Sequence, residues 1–128
     1  MVMSGRELVE SLRPQVQEID VHALHALLKE NPYALVIDIR EKQETEVACI
    51  PNALLIPRGI LEMQITANPS VSERFVVHKT LPEQPIYLLC RSGARSVLSA
   101  YSLQQMGFKD VYSVAGGFLA WQAAGYER

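Results

Sequence analysis

The chain has 128 residues, 48% hydrophobic and 20% charged, with a formal net charge of −2. That length suits one domain able to bury roughly 70% of its unfolded surface. A near-neutral balance gives no reason to expect nucleic acid or an acidic membrane surface as partner, and no apolar run nears the ~18 residues of a membrane span.

Residues 1–15 mix Arg6, Glu7, Glu10 and Arg13 with scattered apolar side chains. They read as a polar arm or a loosely attached helix, with the folded domain over 16–128. The arm lacks the apolar core of a signal peptide. Cys49 and Cys90 are therefore expected to stay reduced, in the cytoplasm. Gln15 to Ile19 is a short strand, and Asp20 is an N-cap for a helix over 21–30 with Val21, Leu24, Leu27 and Leu28 on one face. His22 and His25 sit one turn apart on it but have no evident third metal ligand. Asn31-Pro32 ends this helix. Ala34 to Ile39 is a buried strand, and Glu41 to Glu46 a short acidic helix. Ala53 to Ile56 is a third strand, closed by Pro57-Arg58-Gly59, and 60–64 a short helix. Residues 66–84 carry turn signals around a possible helix. Ile86 to Leu89 is a fourth strand, Ser96 to Met106 a helix stopped by Gly107, and Val111 to Val114 the last strand. Gly116-Gly117 then turns into a final helix through Trp121. Strands alternating with helices indicate an α/β fold with a mainly parallel sheet of about five strands flanked by helices. Ligands of such sheets bind beyond the strands' carboxyl ends. Arg40, Arg58, Cys90 with its loop, and Gly116-Gly117 all follow strands.

Cys90 stands between a strand's carboxyl end and a helix's amino end. Unpaired N–H groups of a first helical turn, and a tight loop feeding it, make an anion-binding nest that favours a thiolate over a thiol. Arg91 and Arg95 add permanent positive charge. The plainer reading is a buried structural cysteine, but two nearby arginines speak against a purely apolar setting. Cys49 has no flanking cation and is read as non-catalytic.

Cys90-Arg91-Ser92-Gly93-Ala94-Arg95-Ser96 resembles the active-site loop of the rhodanese-like sulfurtransferases, which runs six residues from Cys to Arg. Asp38-Ile39-Arg40 resembles that family's Asp-x-Arg. Ile50-Pro51-Asn52-Ala53 and Pro57-Arg58-Gly59 resemble its Ile-Pro-Gly-Ala and Pro-Arg-Gly segments. Gly116-Gly117 through Trp121 resembles its Gly-Gly-x-x-x-Trp. Ala48-Cys49 stands where a Gly-His is usual, and Asn52 replaces a glycine, a change a left-handed turn tolerates. The resemblance implies a single rhodanese-like domain, with Cys90 taking the outer sulfur of thiosulfate as a persulfide and passing it to cyanide or to a thiol, including a protein thiol. No cofactor or metal is implied. Arg91, Ser92, Gly93, Ala94 and Arg95 form the loop, with Arg95 expected to brace loop carbonyls. Arg91 and Arg58 are expected to attract a sulfonate. Asp38, Arg40, Gly116 and Gly117 are read as structural support. Two other readings remain: a sulfur-carrier or regulatory module, and a cysteine phosphatase or arsenate reductase, whose loop is one residue longer.

Overall fold

The structure, a computed structural model, describes residues 1–77 and 79–128. Five parallel strands form one sheet in the order β1-β5-β4-β2-β3. They are β1 (Gln17–Ile19), β2 (Leu35–Asp38), β3 (Leu54–Leu55), β4 (Ile86–Leu89) and β5 (Val111–Val114). The central strand, β4, is buried along its whole length, as its unbroken apolar run requires. Its register sets Leu89 beside Asp38 of β2 and Leu88 beside Ser113 of β5. Cys90 therefore leaves the middle of the sheet, at its carboxyl edge.

Side chains alternate across the sheet, as the period of a strand dictates. Leu35, Ile37, Ile86, Leu88 and Cys90 share one core with Val97, Ala100 and Leu103. Those last three lie on helix α6 (Ala94–Gln105). Val36, Tyr87 and Leu89 share the other with Val21, Leu24, Phe118 and Trp121. These residues belong to α2 (Val21–Glu30) and α7 (Gly117–Ala123). The molecule is thus a three-layered α/β/α domain. Asp20 caps α2 as expected, accepting the Ala23 N–H at 2.8 Å.

Several expectations shift. Of the two readings of the first fifteen residues the structure shows the helix, and attaches it: α1 (Gly5–Leu12) carries a reciprocal capping box between Ser4 and Glu7, and Val9 is buried in the α6-side core. A polar sequence with one buried position per two turns hides such a helix. The strands over 34–39 and 53–56 shorten to four and two residues. The acidic helix shortens to α3 (Lys42–Thr45) with Glu41 as N-cap. The helix after Cys90 begins two residues earlier than its apolar pattern indicates, at Ala94. Residues 58–60 form a 3-10 turn leading into α4 (Leu61–Gln64). Within 66–84 lie α5 (Pro69–Ser72) and a 3-10 turn over 81–83, while residue 78 lies outside the described residues. Asn52 adopts φ +68°, the left-handed turn its position demands. Among the described residues, no helix is long and apolar enough to cross a membrane.

Leu88 is fully buried at the centre of the sheet. Leu88→Ala is expected to destabilise the fold by about 2–5 kcal/mol through lost transfer energy and a residual cavity, read as a lowered urea midpoint at unchanged m-value.

Candidate active site

Cys90 Sγ lies at the floor of the loop joining β4 to α6, and the residue is 1% exposed. The Gly93 N–H points at it from 3.0 Å and the Ser96 N–H from 3.4 Å, while Ser96 Oγ lies 3.3 Å away. Because α6 starts at Ala94, Ser96 falls in its first turn, where backbone N–H groups have no partner within the helix. Gly93 takes φ +99° to turn the chain into that helix, a conformation L side chains seldom adopt. A Cβ there would also lie 3.2 Å from the Gly116 nitrogen.

The outer side of the loop is tied to α7. The Phe118 N–H donates to the Cys90 carbonyl at 2.8 Å and the Leu119 N–H to the Arg91 carbonyl at 3.1 Å. In a planar trans peptide the carbonyl and the following N–H point in opposite directions. The N–H groups of Arg91 and Ser92 therefore face away from α7, and among the described residues neither has a protein acceptor. This approach depends on Gly117, since a Cβ there would stand 2.5 Å from the Cys90 and Arg91 carbonyl oxygens. Gly116 is the N-cap of α7.

Asp38 and Arg40 make a buried ion pair. Arg40 Nη2 donates to Asp38 Oδ2 at 2.8 Å, Nε donates to Oδ1 at 3.0 Å, and the Arg40 backbone N–H donates to Oδ1 at 3.1 Å. The guanidinium also holds the Ala48 carbonyl at 2.8 Å and lies 4.0 Å from the centre of the Phe118 ring. Such saturation is what a buried charge requires. It links the end of β2 to the first turn of α7 and so to the cysteine loop.

Arg95 departs from expectation. It forms no hydrogen bond to a loop carbonyl among the described residues; its fork grips Glu44, Nη1 to Oε2 at 3.0 Å and Nη2 to Oε1 at 2.9 Å. A carboxylate in fork geometry competes better for a guanidinium than single carbonyls do. Glu44 escaped the sequence reading. Its trace there is the Glu41-x-x-Glu44 spacing, which becomes a capping box with the Glu41 N–H donating to Glu44 at 2.8 Å. The Arg95 hydrogen bond holds the Glu44 carboxyl at about 2, against its usual 4.5. The same bond, opposed by burial and aided by lesser contributions that include the charge of Cys90, raises Arg95 above its ordinary value.

Arg91, Ser92 and Ala94 are exposed, as is Arg58, whose N–H is anchored at 3.0 Å to the carbonyl of Ile39. Neither Arg58 nor Arg91 makes a side-chain hydrogen bond or ion pair among the described residues. Ser92, Ala94 and Arg95 form one wall of a cleft whose opposite wall is Arg6, Val9 and Arg13, so α1 flanks the loop. Cys49 is half-buried and free. His22 and His25 are taken by Tyr126: His22 Nδ1 lies 2.6 Å from its hydroxyl, and His25 stacks on its ring at 3.7 Å.

Two outcomes follow from this geometry. Gly117→Ala forces the loop and α7 apart, and is expected to cost about 1–3 kcal/mol in stability and at least ~100-fold in any chemistry at Cys90, measured by thermal melting and turnover. Glu44 is depressed in the folded state, so its contribution is complete above its usual value of 4.5 and vanishes as pH falls toward 2. Glu44→Gln should therefore be less stable than the parent at neutral pH, with the gap closing between about pH 4.5 and 2 in urea titrations.

The chain is similar to several known proteins. The chain is 34% identical over 116 residues to the Arabidopsis thaliana Rhodanese-like/PpiC domain-containing protein 12, chloroplastic, spanning 88% of this chain but only 36% of that protein. It is 33% identical over 106 residues to the Thiosulfate sulfurtransferase GlpE of Vibrio cholerae, spanning 83% of this chain and 88% of that one. The solved structure of RPA3614 from Rhodopseudomonas palustris, described as a possible tyrosine phosphatase, superposes with a TM-score of 0.81 at 26% identity, over 98% of this chain and 93% of that one. The model of the rhodanese-like domain matches residues 20–124, and the chain belongs to the rhodanese-like sulfurtransferase family.

Proposed function

We propose that the chain transfers sulfane sulfur from thiosulfate, or another persulfide donor, through a persulfide on Cys90 to a thiol acceptor, with cyanide as an assay acceptor. The observation that carries this reading is the pair of N–H groups directed at one sulfur, those of Gly93 and Ser96, in a loop whose Arg91 and Ser92 N–H groups have no protein acceptor among the described residues. Such donors stabilise negative charge both on a thiolate and on the outer sulfur of a persulfide.

In the first half-reaction the Cys90 thiolate attacks the outer sulfur of thiosulfate. A sulfur–sulfur bond forms to Sγ, the bond to the sulfonate sulfur breaks, and sulfite departs with the electron pair. In the second, an acceptor thiolate attacks the outer sulfur and Cys90 leaves as thiolate, the logic of thiol–disulfide exchange. Arg58 and Arg91, exposed cations at the carboxyl edge of the sheet, draw the sulfonate in. Arg95 stiffens the loop through Glu44 instead of touching substrate. Asp38, Arg40, Gly116 and Gly117 hold the scaffold on which the loop rests. Such chemistry suits a reducing cytoplasm, where thiol acceptors are abundant.

Phosphoryl transfer is the less favoured reading: two of the five N–H donors of Arg95 are committed to Glu44, which leaves fewer to surround a phosphate's oxygens.

Intact-mass measurement after incubation with thiosulfate tests the reading. The parent and Cys49→Ser are expected to gain one sulfur atom and to release it on adding cyanide or a thiol, whereas Cys90→Ser gains none. A folded parent that stays unloaded with both thiosulfate and polysulfide would overturn it.

A further inference from the structure

We propose that Ser113, on β5, is a positioning residue for sulfur transfer, acting on the Cys90 sulfur through the hydroxyl of Ser96. The inference rests on the persulfide reading above and names a residue that neither the sequence motifs nor the loop itself contains. Ser113 lies two residues beyond Val111, on the sheet face that α6 covers, and is fully buried. Its Oγ stands 2.7 Å from Ser96 Oγ, which in turn stands 3.3 Å from Cys90 Sγ. Three polar atoms thus form a short chain from the sheet interior to the sulfur, with Ser96 also fully buried.

Counting protons gives the chain a direction. Each hydroxyl has one proton, and the Ser96–Ser113 contact uses one of the two. When Sγ is a thiolate, Ser113 donates to Ser96 and the Ser96 proton is left to donate to sulfur, so every proton has an acceptor. The opposite order leaves the Ser113 proton without a protein acceptor among the described residues, a costly state for a buried donor. When Sγ is bonded to an outer sulfur, its charge has moved to that atom and it accepts poorly. Ser113 still donates to Ser96, since the reverse order would strand its own buried proton, and so keeps the Ser96 proton aimed at Sγ. The pair holds one order through the cycle, its donor waiting at Sγ.

Its main effect falls on the discharge step. As the acceptor thiolate bonds to the outer sulfur, the bond from that sulfur to Sγ breaks and its electron pair returns to Sγ. The Ser96 proton, already aimed there by the Ser113 hydrogen bond, meets the charge as it arrives. Without Ser113 the Ser96 hydroxyl loses its buried partner and the geometry that aims it.

The experiment loads parent, Ser96→Ala, Ser113→Ala and the double variant with thiosulfate, then follows persulfide discharge to cyanide by quenched-flow mass spectrometry. Ser113→Ala is expected to slow discharge about tenfold, the size of a hydrogen bond to a charged group, with the acceptor concentration at half-maximal rate unchanged. In the Ser96→Ala background the same substitution should change the rate less than about twofold. Additive losses would mean a general packing role and overturn the proposal, as would an unaltered rate in Ser113→Ala. Should Ser113→Ala not fold, Ser113→Thr and Ser113→Val replace it: they match in shape and differ in the hydroxyl. Thr is then expected to discharge about tenfold faster than Val, and equal rates would overturn the proposal. A parent that never loads sulfur defeats the persulfide reading and this inference with it. A parent that loads normally beside insensitive variants defeats this inference alone.

Discussion

The site depends on two backbone hydrogen bonds, from Phe118 and Leu119 to the carbonyls of Cys90 and Arg91. They use the free N–H groups at the start of α7, so one helix end is spent on turning the loop and not on binding a ligand. Because the carbonyls are drawn outward, the peptide N–H groups between them are turned the other way. A loop of this length, left to itself, has no reason to face its donors toward one point. The helix supplies the reason, and Gly117 supplies the space.

The charged residues around the loop act on this framework more than on any substrate. The Asp38–Arg40 pair is buried and joined by several hydrogen bonds, and the Arg40 guanidinium lies against Phe118, the same residue whose N–H holds the loop. Arg95 and Glu44 tie α6 to α3 on the other flank. Buried ion pairs contribute little net stability against well-packed apolar substitutes. Their value here is directional: each fixes the orientation of an element bearing on Cys90. Arg58 and Arg91 are exposed and follow the carboxyl ends of β3 and β4.

Much of the fold was legible in the chain. The period of the apolar residues placed the strands and helices, and the special residues that follow strands gather at the carboxyl edge of the sheet. Asp20 announced its cap because its carboxylate accepts an unpaired N–H of the first helical turn, and Asn52 its turn because few side chains tolerate a left-handed backbone. Segments whose structure depends on distant partners were less legible. The helix over 5–12 is mostly polar and rests on one buried valine. The start of α6 was displaced because Ala94 and Arg95 look like loop when only apolar periodicity is read.

By itself the sequence determined the parallel α/β architecture, the placing of Cys90 between strand and helix, and the six-residue span to Arg95. Those are local properties, encoded in periodicity, turn residues and spacing. Tertiary structure alone decided that Arg95 meets Glu44 and not a loop carbonyl, that α7 turns the loop, and that Ser113 stands behind Ser96. Each of those contacts joins residues 17 to 51 positions apart, or two elements brought together only by the sheet order. A carboxylate, a glycine or a serine looks the same in sequence whatever stands opposite it, and its role is set by which partner the fold delivers within hydrogen-bond reach.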